Sequence, residues 1–360
     1  MNGKRLLLGA FVFLFASLPA EQKNPKILHL SFHKGCVKDF EEVAVELGLD
    51  VTSWYILGER KTEFDGEGRG NEVYNITHAR AKKVWDLNKD YFDQFDVILT
   101  SDTAPLSRIF VQNGWKKPLI IWICNRFDYF HSGGADNEYY DLFRKAATMP
   151  NVRVISYTPY EKYYAAKKNV HVGDLLIKPL GAVKTGLWEG FKSSIPQDVV
   201  KEETLFIPPR YDDRQLQYIQ GECSSHGIKT YSGIYNGPCD LAGFKGVIFF
   251  PYQWSNLMLF EYMSLGLVQF IPSKKFINEL FQQRTPIRYF TRNLNEFEIG
   301  ECYHPDNKDI FVYFDSWQDL QNKLNTINFE AKKSKILEVA KNHQLRMLQR
   351  WETIINSLIV

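Results

Sequence analysis

Residues 245–273 read KGVIFFPYQWSNLMLFEYMSLGLVQFIPS, and this stretch decides the fold class. An apolar run over 246–250 is followed by a polar loop and then by apolar residues at helical spacing from about Ser255. A turn that contains Gly266 leads into a second apolar run over 267–271. This succession of strand, helix and strand indicates one unit of a parallel α/β sheet.

Outward from this stretch, short apolar runs alternate with amphipathic segments on both sides. In the N-terminal half we predict strands at 26–32, 51–57, 96–101, 119–124 and 152–157, with helices at 37–47, from 105 and at 137–147. In the C-terminal half we predict strands at 204–207, 227–231, 246–250 and 267–271, with helices at 212–222, at 255–265 and from about 317 onward. The alternation predicts two doubly wound α/β halves, with a ligand outside the carboxyl ends of their strands.

The helix start within 245–273 has features of a ligand site. Ser255 and Asn256 are good helix-capping residues, and a helix N-terminus offers free N–H groups and a positive dipole end to an anion. Glu261 lies further along the helix beside Phe260. A carboxylate among apolar neighbours is costly to bury unless something hydrogen-bonds to it. The pattern therefore predicts an anion at the helix start and hydrogen-bond donors at Glu261.

This stretch resembles the donor-binding segment of GT-B glycosyltransferases. The resemblance implies that Glu261 accepts hydrogen bonds from the ribose of a nucleotide-sugar, and that Ser255 and Asn256 face its phosphate or sugar. Gly266 would permit the tight turn after the helix. Many retaining members carry a Glu eight positions before the ribose-binding Glu. Gln253 stands there in this chain, which leaves the stereochemistry of transfer open.

A second segment of the C-terminal half, 206–214, carries two arginines after the first predicted strand. GT-B transferases of several families place cations here, so the resemblance implies that Arg210 and Arg214 hold the donor diphosphate. Two fixed cations would stabilise the departing nucleoside diphosphate without a metal. The alternative is a solvated helix start in which Asp212 and Asp213 cap the helix and pair with the arginines.

The N-terminal half supplies the candidates for a general base. Residues 125–134 follow a buried strand, so this loop reaches the mouth of the predicted cleft. An inverting transfer needs a base to take the proton of the acceptor hydroxyl. Asp128 and His131 are the catalytic candidates, with His33 behind them on the loop after the first strand. A single histidine at a strand end is also a common structural residue.

The resemblance implies two Rossmann-like domains that face each other across a cleft. We predict an N-terminal acceptor domain over 24–180 and a linker over 181–200. A nucleotide-sugar donor domain follows over 201–340. The helix at 341–360 is expected to return to the N-terminal domain, as in many GT-B chains.

The first twenty residues have the form of a secretory signal peptide or a short signal-anchor. Two basic residues precede an apolar run over 6–18, which is shorter than the roughly 20 residues that span a bilayer. Residues 75–77, Asn-Ile-Thr, form an N-glycosylation acceptor. We therefore expect a glycoprotein of the ER or Golgi lumen, with membrane contact only if the N-terminal segment is retained as an anchor.

Composition excludes other classes of protein. Lys plus Arg is 44 and Asp plus Glu is 42, so the net charge of +2 argues against duplex DNA or an anionic membrane as a global partner. The five cysteines include no C-x-x-C pair, which excludes a zinc ribbon and a thioredoxin-type site. Cys223 and Cys239 lie closest in sequence and could form a disulfide in an oxidising lumen.

These observations predict an enzyme that transfers a hexosyl or deoxyhexosyl group from a nucleotide-diphosphate sugar to a glycan or glycoprotein acceptor. The nucleotide-sugar would be a co-substrate, with no cofactor, no catalytic metal and no nucleic-acid partner. The alternative is a non-catalytic, two-lobed carbohydrate-binding protein of the secretory pathway. Such a protein would share the cleft but would not need arginines and a glutamate that converge on one nucleotide.

Overall fold

The structure is a computed structural model, and it describes residues 24–59, 64, 75–129, 137–183, 192–254, 256–289, 291 and 293–359. The predicted signal segment 1–20 lies outside the described residues, as do the predicted site residues His131 and Ser255. Among the described residues, no helix combines the length and the apolar composition that crossing a membrane requires.

The described part of the N-terminal half alternates strands with helices. Its elements are β1 (Lys26–Ser31), α1 (Lys34–Leu47), β2 (Asp50–Tyr55), α2 (Ile56–Glu59), α3 (His78–Phe92), β3 (Val97–Ser101), α4 (Arg108–Val111), β4 (Leu119–Ile123), α5 (Asn137–Ala146), β5 (Val152–Ser156) and α6 (Pro159–Lys167).

The C-terminal half repeats this alternation with shorter strands. Its elements are β6 (Leu205–Phe206), α7 (Asp213–Ser225), β7 (Thr230–Tyr231), β8 (Gly246–Ile248), α8 (Leu257–Ser264), β9 (Gln269–Pro272), α9 (Lys274–Gln282), β10 (Phe311–Phe314), α10 (Trp317–Thr326) and α11 (Phe329–Ile359).

Each half contains one five-stranded sheet, and both sheets are parallel throughout. The first has the order β2-β1-β3-β4-β5, and the second, read from its β7 edge, has the order β7-β6-β8-β9-β10. Both sheets therefore have the same topology, in which the strand order reverses between β1 and β3 and between β6 and β8. Ligands of doubly wound sheets bind at such switch points, outside the carboxyl ends of the strands. The predicted α/β architecture of two Rossmann-like domains is confirmed.

Local sequence explains why these elements form. All five residues of β4 are buried, as expected of a parallel strand that is covered on both faces. Helix α1 ends at Gly48, whose φ of 64° is left-handed and whose N–H bonds to the carbonyl of Ala44. The sequence pattern places the end of this helix correctly because glycine adopts that conformation without a Cβ clash.

A single long helix connects the two halves. Helix α11 runs unbroken for 31 residues from the C-terminal half, so it begins well before the predicted boundary at 341. Near its end, the ring of Trp351 lies 5.0 Å from that of Phe40 in α1 and 5.4 Å from that of Trp122 in β4. These three rings are buried, and they anchor the helix on the N-terminal sheet.

Buried polar contacts join the halves beside this helix. The ammonium of Lys178 lies 2.9 Å from the carboxylate of Glu301, and both side chains are buried. The carboxylate of Asp39 in α1 accepts hydrogen bonds from the main-chain N–H groups of Leu180 and Gly181, at 3.1 and 2.9 Å. Because buried polar groups are stable only with such partners, these contacts fix the position of the crossing chain.

The disulfide considered between Cys223 and Cys239 does not form. Cys223 is buried within α7, whereas Cys239 is exposed, and both thiols are free. The two cysteines are close in sequence, but the segment between them runs from a buried position in α7 to the protein surface. Closeness in sequence therefore does not place their side chains within disulfide distance.

Candidate functional site

A cleft of about 530 Å³ lies at the carboxyl edges of both sheets. Residues that follow β1, β3 and β4 form one wall, and residues that follow β6, β7 and β8 form the other. Its charged and polar lining includes His33, Lys34, Asp102, Asn125, Arg210, Gln253, Asn256 and Glu261, and its aromatic lining includes Phe32, Tyr55, Tyr129, Tyr157, Tyr235 and Tyr252.

The N-terminal wall is centred on His33. Strands β1 and β3 are paired up to Ser31 and Ser101, so residues just beyond these two ends are neighbours at the switch point. His33 is the N-cap of α1, and its Nδ1 accepts a hydrogen bond of 3.3 Å from the N–H of Cys36. Its side chain lines the cleft. At 3.3 Å the hydrogen bond to Nδ1 is long and therefore weak.

Asp102 lies beside His33 in an unusual backbone conformation. Its φ of 71° is left-handed, which a non-glycine residue adopts at a cost that is often associated with functional sites. Asn125 donates from Nδ2 to the carboxylate of Asp102 at 2.8 Å, and its main-chain N–H bonds to the carbonyl of Asp102 at 3.1 Å. Burial raises the pKa of Asp102, while His33 and Asn125 act in the opposite direction.

The charge of Asp102 acts on His33 in turn. Burial disfavours the imidazolium, but the neighbouring side chains of Cys36 and Asp102 outweigh burial and raise the pKa of His33. A carboxylate beside an imidazole stabilises the protonated ring. With a pKa of about 9, His33 accepts a proton from a ligand hydroxyl only in its neutral form, and that form becomes populated as the pH rises toward 9.

The C-terminal wall carries Arg210 and Glu261. Arg210 lies in the turn after β6, and its side chain is exposed in the cleft. Glu261 lies in the second turn of α8 with only 7% of its surface exposed. Burial raises the pKa of Glu261 to about 7, and the guanidinium of Arg210 partly opposes this effect. In the described ranges, no protein donor hydrogen-bonds to the Glu261 carboxylate, so it is available to a ligand.

Asn256, at the start of α8, lines the same cleft as Arg210 and Glu261. It is the N-cap residue and is 4% exposed, yet its side chain does not bond to the N–H groups of the first turn. Instead, its Nδ2 donates to the carbonyl of Gln253 at 3.1 Å. The first-turn N–H groups thus lie at the cleft without this side chain as their cap.

The structure brings Arg210, Asn256 and Glu261 into one cleft but separates two other predicted donor residues from it. Arg214 is exposed in the first turn of α7 and does not line the cleft. Gly266 lies in the turn after α8 with a φ of 69°, and a Cβ there would come 3.0 Å from side-chain atoms of α11. The tight turn expected at Gly266 is present, and this residue faces α11 instead of the cleft.

The prediction that Asp128 is a catalytic base is not supported by its position. Asp128 is fully buried and does not line the cleft. One of its carboxylate oxygens accepts hydrogen bonds from the hydroxyls of Tyr140 and Tyr164. The loop after β4 turns inward here because Phe127 packs on Phe143, with the ring centroids 5.3 Å apart. A carboxylate in this position cannot reach an acceptor in the cleft.

His33 and Asp102 were the residues that sequence reasoning underrated. From the sequence, His33 ranks behind Asp128 and His131 among the base candidates, and Asp102 is not among them. The available signal was their position, since each follows a strand that borders the topological switch point. That signal depends on the strand order, which the sequence alone does not establish.

Contacts across the cleft hold its two walls together at one end. The ring of Tyr160 in α6 stacks on that of Trp254, with 3.6 Å between the centroids and 7° between the planes. Arg126 donates from Nη1 to the side-chain oxygen of Gln253 at 3.3 Å. The loop that leads to Asn256 is thus fixed from the N-terminal half.

No protein-family model and no curated protein matches the sequence. Solved structures match it in three dimensions. The structure of LpCGTa in complex with UDP has a TM-score of 0.52 and 8% identity, over 94% of this chain and 100% of that one. A Listeria monocytogenes protein described as a UDP-N-acetylglucosamine 2-epimerase has a TM-score of 0.51 and 10% identity, over 93% and 96%. The glycosyltransferase SnogD from Streptomyces nogalater has a TM-score of 0.49 and 9% identity, over 92% and 99%.

The two structures with TM-scores above 0.5 match over both halves of the chain. At such low identity they bear on the fold, and they agree with the two parallel sheets of identical topology. The chain has the GT-B fold of two Rossmann-like domains that face each other across a cleft.

Proposed function

We propose that the protein is a glycosyltransferase that uses a nucleotide-diphosphate sugar as donor. One observation carries the proposal: a single cleft joins Arg210 and Glu261 on one wall with His33 and Asp102 on the other. The first pair suits a nucleoside diphosphate, and the second pair suits proton removal from an acceptor hydroxyl. UDP is present in the LpCGTa structure, which is consistent with such a donor.

The donor would bind against the C-terminal wall. The guanidinium of Arg210 forms charge-assisted hydrogen bonds with the diphosphate. The buried Glu261 carboxylate accepts hydrogen bonds from the two ribose hydroxyls, which supply the donors that this carboxylate otherwise lacks. The uncapped first turn of α8 adds main-chain N–H groups for phosphate or sugar oxygens.

The acceptor would bind against the N-terminal wall. His33 takes the proton of the acceptor hydroxyl while the hydroxyl oxygen forms a bond with the anomeric carbon of the sugar. The bond from that carbon to the donor phosphate breaks, and the electron pair leaves with the nucleoside diphosphate. Asp102 stabilises the imidazolium, and Arg210 stabilises the departing diphosphate. On this account the residues of the chain provide the charge stabilisation, and we propose that catalysis does not require a metal.

We further propose a glycan or glycoprotein acceptor in the lumen of the secretory pathway. The aromatic rings of Tyr55 and Tyr129 line the acceptor side and can stack on sugar rings. The signal-like segment 1–20 and the acceptor triplet 75–77 support this compartment.

A thermal-shift panel separates this proposal from the alternative of a non-catalytic carbohydrate-binding protein. The full chain is heated with UDP, GDP, their common sugar conjugates and free monosaccharides, each with and without EDTA. Because a ligand that binds only the folded state raises the apparent Tm, stabilisation by a nucleoside diphosphate in EDTA supports the transferase. Stabilisation by free sugars alone would contradict it. Release of nucleoside diphosphate in the presence of glycan acceptors then tests turnover.

A further inference from the structure

Helix α6 of the N-terminal half contacts the loop that precedes α8 in the C-terminal half. The ring of Tyr160 lies face to face with that of Trp254, with 3.6 Å between the centroids and 7° between the planes. Only 6% of Trp254 is exposed, so its contact with Tyr160 is part of what removes the indole from water. In the described part of the chain, neither ring lines the cleft. The stack therefore lies behind the candidate site.

The core of the N-terminal half supports the Tyr160 ring. Tyr164, four residues later on the same face of α6, has its ring 6.1 Å from that of Tyr160. The Tyr164 hydroxyl donates to the carboxylate of Asp128 at 3.1 Å, and Asp128 is fully buried. Because close-packed buried groups move little, Tyr160 is a firm support for the loop that it contacts.

The other side of the stack leads to two residues of the cleft. The main-chain carbonyl of Trp254 accepts a hydrogen bond of 3.0 Å from the N–H of Glu301, so its backbone is held as well as its ring. Gln253 accepts from Arg126 through its side chain and from Nδ2 of Asn256 through its main-chain carbonyl, at 3.3 and 3.1 Å. Gln253 and Asn256 both line the cleft. The position of the Trp254 loop therefore determines where these two side chains meet a ligand.

We propose that Tyr160 is a positioning residue for the donor. By stacking on Trp254, it fixes the loop that presents Gln253 and Asn256 to the ligand. This inference rests on the proposed function, because it takes the ligand of that wall to be a nucleotide-diphosphate sugar. A loop that is already in place loses less conformational freedom on binding, so it binds the donor more tightly. The N-terminal half thus controls donor affinity through a side chain that lies outside the cleft.

The same helix carries a matched control. The hydroxyl of Tyr163 donates to Oε1 of Glu296 at 3.2 Å, and the ammonium of Lys167 lies 3.2 Å from the same oxygen. Glu296 belongs to the 3₁₀ turn over 294–299, which does not line the cleft in the described ranges. Tyr163 is thus the same type of residue on the same helix and also reaches the C-terminal half, but at a point away from the Trp254 loop.

The first test compares nucleotide affinity in the full chain and three variants. Calorimetric titration with UDP and GDP measures the Kd of the nucleotide that binds. We expect Tyr160→Ala to weaken binding on the order of fivefold, because the stack is lost. Tyr160→Phe, which retains the ring, and Tyr163→Ala should each change the Kd by less than about twofold. In steady-state kinetics Tyr160→Ala should raise the KM of the donor and change kcat by less than about twofold, because Tyr160 does not touch the reacting atoms.

Hydrogen–deuterium exchange without ligand tests the same inference independently of nucleotide. Exchange over 250–257 should become faster in Tyr160→Ala and stay at the wild-type rate in Tyr163→Ala, while circular dichroism confirms that both are folded. Unchanged exchange in Tyr160→Ala, or an equal loss of affinity in the two alanine variants, would overturn the inference and leave the proposed function intact. A wild-type protein that binds neither nucleotide would overturn the proposed function and this inference together.

Discussion

The two halves share one topology but have different chemistry at their switch points. In the N-terminal sheet the reversal between β1 and β3 brings together His33 and Asp102, an imidazole and a carboxylate. In the C-terminal sheet the reversal between β6 and β8 brings together Arg210 and Glu261, a fixed cation and a buried carboxylate. The fold determines where ligand-binding residues can lie, and the local sequence determines which part of a substrate they suit.

The two carboxylates also differ in how they are held. The Asp102 carboxylate accepts a hydrogen bond from the Asn125 side chain. Among the described residues, no protein donor hydrogen-bonds to the Glu261 carboxylate. The N-terminal wall is thus organised before substrate arrives, and the C-terminal wall retains a buried carboxylate that a ligand must satisfy. We infer that Glu261 lowers stability in exchange for binding, and that Asp102 does so to a smaller degree.

The largest effect is expected for His33→Ala. Loss of a general base lowers turnover by about 10²- to 10⁴-fold, while the Kd of the nucleoside diphosphate changes by less than about twofold. Steady-state kinetics and calorimetric titration measure the two quantities separately. His78→Ala is the control, because His78 lies exposed on α3 and contacts Glu138. If turnover in His33→Ala matched that of the control, the catalytic role of the N-terminal wall would be excluded.

Glu261→Gln tests the cost of the buried carboxylate. Its pKa is raised from 4.5 to about 7, so the folded state binds the proton more tightly than the unfolded state. Wild-type stability therefore falls as pH rises from about 4.5 to 7, by up to about 3 kcal/mol. The Glu261→Gln variant should not lose stability in this way, because its amide does not titrate.

Urea unfolding at about pH 4.5 and pH 8 provides the measurement for Glu261→Gln. The stability gain over wild type should be small at the lower pH and reach about 3 kcal/mol at the higher one. Nucleoside diphosphate affinity should fall by about tenfold at pH 8, since the amide replaces a charged acceptor. A variant that is less stable than wild type at pH 8 would contradict this account of Glu261.

Arg210→Ala addresses the other member of the C-terminal wall. Removal of a charge-assisted contact is expected to weaken nucleoside diphosphate binding by about 10- to 100-fold. The matched control is Arg214→Ala, four residues later and outside the cleft, with an expected change below about twofold. Calorimetric titration compares them. Equal losses in the two variants would show that the diphosphate is attracted by general charge and not by Arg210.

Asp102→Asn is expected to have the smallest effect of the four. Without the carboxylate, the imidazolium of His33 is less stable, so the pKa of His33 falls. Activity, which rises as His33 loses its proton, should then begin at lower pH, with maximal turnover reduced by about tenfold. A pH–rate profile measures both changes. An unchanged midpoint would show that Asp102 does not act through His33.

The sequence predicts the fold well because the spacing of apolar residues, which indicates helices and buried strands, can be read within short segments. Continuous apolar runs such as 119–124 indicate buried parallel strands, and Gly48 marks a helix end in both sequence and structure. Helices α2, α3, α6 and α9 and strand β10 are not predicted from the sequence. The strand 311–314 is short and aromatic and lies among 3₁₀ turns, which leaves little periodic signal.

The site was less predictable, because it depends on which way loops turn. Arg210, Asn256 and Glu261 line one cleft, and their roles remain proposals. Asp128 follows a strand just as Asp102 does, but it is drawn into the core by Phe127 and two tyrosine hydroxyls. No sequence pattern distinguishes these two aspartates, since the difference arises from packing across the sheet.

Hydrogen–deuterium exchange with a nucleoside diphosphate tests most directly whether the nucleotide binds the C-terminal wall and leaves the N-terminal wall to the acceptor. The full chain is labelled with and without saturating UDP, and separately with GDP. The account predicts that one of them protects segments 207–214 and 250–262, with little change at 32–37 and 100–103. Protection confined to the N-terminal segments, or no protection by either nucleotide, would contradict it.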